Sequence, residues 1–69
     1  MEIKLVRKHI IFKGRVQGVG FRYFCYTEAK KMNLTGYVRN LYDGNVEMEV
    51  QGHYRDVEMY IFRIKQHSV

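Results

Sequence analysis

Apolar and polar residues alternate most regularly in the segment VEMEVQ, residues 46–51. This pattern predicts a strand with one buried and one solvated face, which Gly52 is expected to end. Two further strands are predicted over Val6–Lys13 and Thr35–Leu41. Asp43 and Gly44, just after the second of these, have the sequence of a tight hairpin turn.

Two other segments carry apolar residues at helical spacing. The first predicted helix spans Phe21–Asn33, with Glu28 expected to lie off its apolar face. The second spans Tyr54–Gln66, and its core positions are Val57, Tyr60, Ile61 and Ile64. The order strand, helix, strand, strand, helix matches the ferredoxin-like βαββαβ pattern without its last strand. We therefore predict a single α+β domain over residues 1–69, a ferredoxin-like two-layer sandwich.

A glycine-rich stretch joins the first strand to the first helix. Glycines at positions 14, 18 and 20 predict a loop whose backbone approaches a ligand closely. Backbone amides in such a loop and at a helix N-terminus favour an anion, and Arg22 follows in the first turn. A planar guanidinium binds two phosphate oxygens at once. The loop is not a Walker P-loop, because Gly-Lys-Ser/Thr is absent after it.

Two motifs resemble the signatures of the acylphosphatase family. They are GRVQGVGFR, residues 14–22, and GYVRNL, residues 36–41, which precedes the Asp-Gly turn. The resemblance implies hydrolysis of small acyl phosphates without a metal or other cofactor. It implies that Arg22 binds the phosphoryl group and that Asn40 orients the attacking water. The phosphate-binding loop would comprise Arg15, Val16, Gln17, Gly18, Val19, Gly20 and Phe21.

Charge and cysteine content narrow the classes of partner. Twelve Lys and Arg residues against seven Asp and Glu give a net charge of +5, which favours anionic partners: a phosphate or sulfate anion, nucleic acid or an acidic surface. The lone Cys25 forms no internal disulfide, and is expected to be a core residue rather than an activated thiol. No apolar run approaches the length of a membrane span, so we expect a cytoplasmic protein without a membrane partner.

An RNA-binding domain of the RRM type is a competing interpretation. Residues 18–24, GVGFRYF, echo the RNP1 motif, but they follow the first strand instead of forming the third. Glu47 and Glu49 on the solvated face of the third strand would repel phosphates. Nucleic acid is therefore not an expected partner.

The resemblance also implies a final strand paired with the first, for which the chain has no counterpart. The predicted strand Val6–Lys13 would then keep an unpaired edge, and such edges recruit other chains. We expect a homo-oligomer formed through this strand. The alternative is a phosphate-binding or oligomerising module with weak or no catalytic activity.

Overall fold

Three antiparallel strands and two helices make up the part of the chain that the structure, a computed structural model, describes: residues 4–13 and 19–67. In chain order the elements are β1 (Leu5–Phe12), α1 (Val19–Lys31), β2 (Thr35–Asn40), β3 (Val46–His53) and α2 (Tyr54–His67). The sheet order is β1-β3-β2. The predicted ferredoxin-like α+β fold is confirmed, and each observed element lies within two residues of its predicted bounds.

The central strand β3 carries the alternation that the sequence predicts. Val46, Met48 and Val50 are buried between the sheet and the two helices. The intervening Glu47 and Glu49 lie on the open face of the sheet, because successive side chains of a strand point to opposite faces. The alternation fixes the register of β3, since a slip of one residue would turn its carboxylates into the core.

Each glutamate on the open face is shared between the two outer strands. Glu47 accepts hydrogen bonds from His9 of β1, at 2.8 Å, and from Arg39 of β2. Glu49 accepts hydrogen bonds from Arg7 of β1 and from the hydroxyl of Tyr37 in β2. Arg39 lies on the solvated face, as the strand pattern predicts, and forms an ion pair there with Glu47.

Two glycines behave differently from the prediction. Gly52 does not end β3, which continues to His53 and pairs Gly52 with Val6 of β1. A Cβ at Gly52 would lie 2.3 Å from the Leu34 side chain, so the residue provides space in the core rather than a break in the strand. Gly20 and Val19, predicted as loop, form the start of α1. A helical backbone accommodates glycine there at modest cost, and Phe21 beside it is anchored in the core.

Glu28 is buried between α1 and α2, which contradicts its predicted position off the packed face of the helix. Its relative exposure is 5%. Arg63 of α2 lies 2.7 Å from one carboxylate oxygen, and Lys31 lies 3.2 Å from the other. Burial of a charge is tolerated when it is paired and hydrogen-bonded, so these two cations explain the exception. The Tyr60 hydroxyl also links the helices, by donating to the Cys25 carbonyl at 2.9 Å.

The β2–β3 connection is a tight turn, as the Asp-Gly pair predicts. The Gly44 amide donates to the Leu41 carbonyl at 3.2 Å, and Gly44 has a φ of 91°. The Asn45 amide donates to the Asp43 carboxylate at 3.0 Å. The turn therefore fixes the pairing that aligns the end of β2 with the start of β3.

Candidate active site

The candidate site is built around the connection from β1 to α1. Arg15, Val16, Gln17 and Gly18 of the predicted phosphate-binding loop lie outside the described residues, as does the side chain of Val19. The described part comprises the end of β1, the start of α1 and the elements beside them.

An aromatic contact holds the two ends of this connection together. Phe12 is the last residue of β1, and Phe21 lies in the first turn of α1. Both are buried, and their ring centroids are 5.6 Å apart at an interplanar angle of 74°. Edge-to-face packing of this kind adds about 1 kcal/mol to the burial of the two rings. The N-terminus of α1 is thus fixed beside the end of the sheet.

Helix α1 directs its first-turn amides at this end of the sheet. Amides of the first turn have no acceptors within the helix, and together with the helix dipole they favour an anion. The first turn of α1 contains no acidic side chain that would compete for this position. The backbone of Val19, Gly20 and Phe21 is therefore a candidate anion-binding helix terminus.

Arg22 follows in the same turn and is only partly buried. Its Nε atom is enclosed, and among the described residues it has no hydrogen-bond partner. An enclosed polar atom without a partner costs about 1–3 kcal/mol, and more when the group is charged. The enclosed Arg22 Nε is therefore a candidate for binding an acceptor outside the described residues.

Asn40 lies at the same end of the sheet as Arg22. It is the last residue of β2 and pairs with Val46, which in turn pairs with Phe12, so the three residues form one row across the sheet. Directly paired residues share a face of the sheet. Since Val46 and Phe12 are buried beneath the helices, Asn40 is directed to the helix side, toward the end where α1 begins.

Arg39 provides the contrast to Asn40. It is the preceding residue of β2, so its side chain lies on the opposite, open face, where it pairs with Glu47. The structure thus brings Arg22 and Asn40 to one end of the molecule, on the helix side of the sheet, and places Arg39 on the opposite face. Arg22 and Asn40 are 18 residues apart in sequence. They come to the same end of the molecule because β2 runs back alongside α1.

Cys25 lies one helical turn after Arg22 but is a core residue, as expected. It is fully buried. Burial raises the pKa of its thiol to about 11, although a hydrogen bond with Tyr60 opposes the shift. A protonated, enclosed thiol is a poor nucleophile, so Cys25 supports the position of α1 without taking part in chemistry.

Residues 4–13 and 19–67 also bear on metal binding and on membrane insertion. His, Cys, Asp and Glu do not cluster there in threes that would hold a metal ion. Neither of the two helices is long and apolar enough to cross a membrane.

A groove lies between the later turns of α1 and the first residues of β2. The sequence motifs did not indicate it. One wall comes from a face of α1 on which Cys25, Tyr26 and Ala29 recur at helical spacing, and this periodicity is the signal that was available in the sequence. The opposite wall comes from β2, and its position follows only from the sheet order.

Comparison with known proteins decides the family. The acylphosphatase family model matches residues 8–69. The chain belongs to the acylphosphatase family. An acylphosphatase from Geobacillus thermodenitrificans is 56% identical over 59 residues, which are 86% of this chain and 63% of that protein. The chain therefore spans less than two thirds of the length of this relative.

Two solved structures resemble this acylphosphatase-family fold. The crystal structure of acylphosphatase from Bacillus subtilis matches with a TM-score of 0.84 and 43% identity, over 91% of this chain and 69% of the other. Full-length HypF, solved in a phosphate- and nucleotide-bound form, matches with a TM-score of 0.74 and 45% identity. That match covers 93% of this chain but 8% of HypF, so the fold also occurs as a small part of a much larger protein.

Proposed function

We propose that this chain hydrolyses small acyl phosphates to a carboxylate and inorganic phosphate. The observation that carries the proposal is the arrangement of Arg22 and Asn40 at one end of the sheet, beside the N-terminus of α1. The enclosed Arg22 Nε without a partner among the described residues supports an anionic ligand. Membership of the acylphosphatase family supports the reaction type.

The proposed mechanism begins with the phosphoryl group. The amides of residues 16–21 and the Arg22 guanidinium bind its oxygens, with Arg15 as a second cationic contact. Phosphoryl transfer depends mainly on positioning and on stabilisation of charge at the equatorial oxygens, which these donors supply. Neither a metal ion nor another cofactor enters this proposal.

Asn40 orients the attacking water in the second part of the mechanism. Its amide oxygen accepts a hydrogen bond from the water and aligns it opposite the leaving oxygen. The water oxygen forms the new P–O bond, the P–O bond to the acyl oxygen breaks, and its electron pair leaves with the carboxylate. The water proton passes to the phosphate product or to solvent. A carboxylate is a good leaving group, so no strong general acid is needed.

Phosphate release from acetyl phosphate and benzoyl phosphate tests the proposal. Arg22→Ala and Asn40→Ala are each expected to lower kcat/KM by about 100-fold. Arg22→Ala removes a donor to the transition state, and Asn40→Ala removes the acceptor that positions the water. Arg39→Ala is the matched control for Asn40, because it is the adjacent residue directed to the opposite face. Arg55→Ala, an exposed arginine of α2, controls for the loss of one positive charge.

Wild-type kinetics in both the Arg22 and Asn40 variants would contradict the mechanism. Stabilisation by phosphate without turnover would instead favour the second candidate, a phosphate-binding or oligomerising module with weak or no catalytic activity. That candidate has one supporting observation: within the described residues β1 pairs only with β3, which leaves its other edge free for a second chain. Self-association through β1, a cytoplasmic location and the lack of a nucleic-acid partner stay predictions.

A further inference from the structure

Helix α2 carries large apolar side chains on its outer surface as well as in the core. Met59 and Phe62 are 59% and 63% exposed, whereas Val57, Tyr60 and Ile64 of the same helix are buried. Since an α-helix has about 3.6 residues per turn, the two exposed side chains point directly away from the buried face. The described residues therefore leave a second apolar face of α2 uncovered.

Four residues form one stripe along this outer face: Arg55, Met59, Phe62 and Gln66. All four are exposed. Their successive spacings of four, three and four residues are those of the seam between two helices of a coiled coil. The apolar pair lies at the centre of the stripe, and a polar side chain lies at each end. The outer face of α2 is therefore suited to pairing with another helix.

The charged residues on the two flanks of the stripe specify the orientation of such a helix. On one flank Asp56 precedes Arg63 by seven residues, and on the other flank Glu58 precedes Lys65 by seven. In an antiparallel pair of identical helices each flank meets its own equivalent, so every acidic side chain faces a basic one. In a parallel pair the two flanks would meet at equal heights, acid against acid and base against base, which is destabilising. The charges therefore select an antiparallel second copy.

The apolar and charged contacts share one centre. The midpoint of Met59 and Phe62 falls between residues 60 and 61, as does the midpoint of Arg55 and Gln66. The midpoints of the two charged pairs lie within one residue of that position. A single two-fold axis therefore permits the apolar contact and all four ion pairs together. This is the self-complementarity that an interface between identical surfaces requires.

Existing contacts leave the charged side chains accessible to a second copy. Among the described residues Asp56 forms no ion pair. Arg63 binds Glu28 but its side chain is still half exposed. Glu58 pairs with Lys8 at 2.7 Å, and both of these side chains also remain exposed.

We propose that two copies of this chain associate through antiparallel pairing of their α2 helices, with Met59 and Phe62 at the centre of the interface. The surface is distinct from the free edge of β1, and the inference is independent of the proposed reaction. Helix α2 has 14 residues and is therefore about 21 Å long. An interface of this length belongs to the small, transient class, so we expect a weak dimer that forms at high protein concentration.

Sedimentation equilibrium of the full chain, from about 10 µM to about 1 mM, tests the interface. Phe62→Glu is expected to raise the Kd of the dimer at least about tenfold, because a charge replaces an aromatic side chain at its centre. Tyr23→Glu is the matched control, since Tyr23 is similarly exposed but lies on α1. A wild-type monomer over the whole range would overturn the inference. So would a dimer that Phe62→Glu leaves unchanged, which would favour association through β1.

A charge exchange tests the proposed ion pairs. Glu58→Lys and Lys65→Glu each place like charges opposite one another in the homodimer, so each variant alone is expected to associate several-fold more weakly. An equimolar mixture of the two variants restores opposite charges at both contacts and should regain association. Loss of fold in either variant, followed by circular dichroism, would not produce this recovery. A mixture that associates no better than its separate components would overturn the inference.

Cysteine cross-linking tests the antiparallel orientation. Arg55 and Gln66 lie about 16 Å apart along α2, so a disulfide across the interface reports which ends meet. Under mild oxidation, a mixture of Arg55→Cys and Gln66→Cys chains should give the mixed dimer, whereas Arg55→Cys alone should stay uncross-linked. Cys25 is buried and does not compete. A disulfide between two Arg55→Cys chains would contradict the antiparallel pairing.

Discussion

The backbone of β3 lies so close to Gly36 that Gly36→Ala is predicted to be severely destabilising. Gly36 of β2 has a φ of 142°, and an added Cβ would lie 1.8 Å from the carbonyl oxygen of Glu49. A tolerated carbon–oxygen contact is about 3.3 Å, so β2 would have to withdraw by roughly 1.5 Å. That displacement exceeds what a ladder hydrogen bond tolerates.

The cost of this substitution follows from its parts. Two lost ladder hydrogen bonds contribute about 1–3 kcal/mol. The unfavourable φ adds about 1–3 kcal/mol. A loss of about 2–6 kcal/mol is comparable to the whole stability of a 69-residue chain, roughly 3–10 kcal/mol. Because Asn40 lies at the end of the same strand, phosphate release should fall together with stability.

Urea unfolding followed by far-UV circular dichroism measures the effect. Gly44→Ala is the matched control, because Gly44 also has a positive φ, 91°, but its added Cβ would have no neighbour within 4 Å. The control therefore includes backbone strain without the collision. If Gly36→Ala and Gly44→Ala unfold at the same urea concentration, the predicted contact with Glu49 is refuted.

Three further predictions concern α1. Burial raises the pKa of Cys25 to about 11. At pH 8, iodoacetamide should therefore label the folded chain on the order of 100-fold more slowly than the urea-unfolded chain. Equal labelling rates would contradict the burial of Cys25. Hydrogen bonds from Lys31 and Arg63 hold the pKa of Glu28 below its ordinary 4.5. The stability that this lowered pKa contributes is present above pH 4.5 and is lost as the pH falls below it. Glu28→Gln should therefore flatten the acid side of the plot of urea midpoint against pH. An unaltered plot would argue against the ion pairs of Glu28 with Lys31 and Arg63. Gly20→Ala should raise the free energy of unfolding by about 0.5–1 kcal/mol, and the urea midpoint with it, because no described residue lies within 4 Å of the added Cβ in this helix; a lower midpoint would count against the helical assignment.

Most of the fold was accessible from local patterns in the sequence. The alternation in residues 46–51 predicts β3, and the apolar spacing of Val57, Tyr60 and Ile64 predicts the packed face of α2. In both elements the side chains that define the period are the ones that the structure buries. Local periodicity succeeds there because one face of each element packs on a single core.

The exceptions arise where a distant residue decides the outcome. Glu28 looks like a surface residue, but Arg63, 35 positions later, neutralises it between the helices. Gly52 looks like a strand end, although the Leu34 side chain occupies the space where its own would lie. In each case a tertiary contact overrides the local preference, and the spacing of residues in the sequence does not encode that contact.

Local sequence patterns predicted less of the candidate site than of the fold. The glycine-rich stretch and Arg22 indicated an anion site from local chemistry, whereas a role for Asn40 came from the family resemblance alone. The shared end of the sheet depends on pairing Asn40 with Val46 and Val46 with Phe12. The groove beside β2 has no local signature on its strand side, since glycine, valine and asparagine in alternation indicate a strand face but no ligand.

The two shared glutamates of β3 couple strands that do not adjoin each other. Glu47 is hydrogen-bonded to His9 on one side and Arg39 on the other, and these hydrogen bonds lower its pKa. Uptake of a single proton by Glu47 would therefore weaken both flanks of the sheet in one event. The margins of the sheet are then expected to loosen in concert during acid titration, although the whole width of β3 separates them.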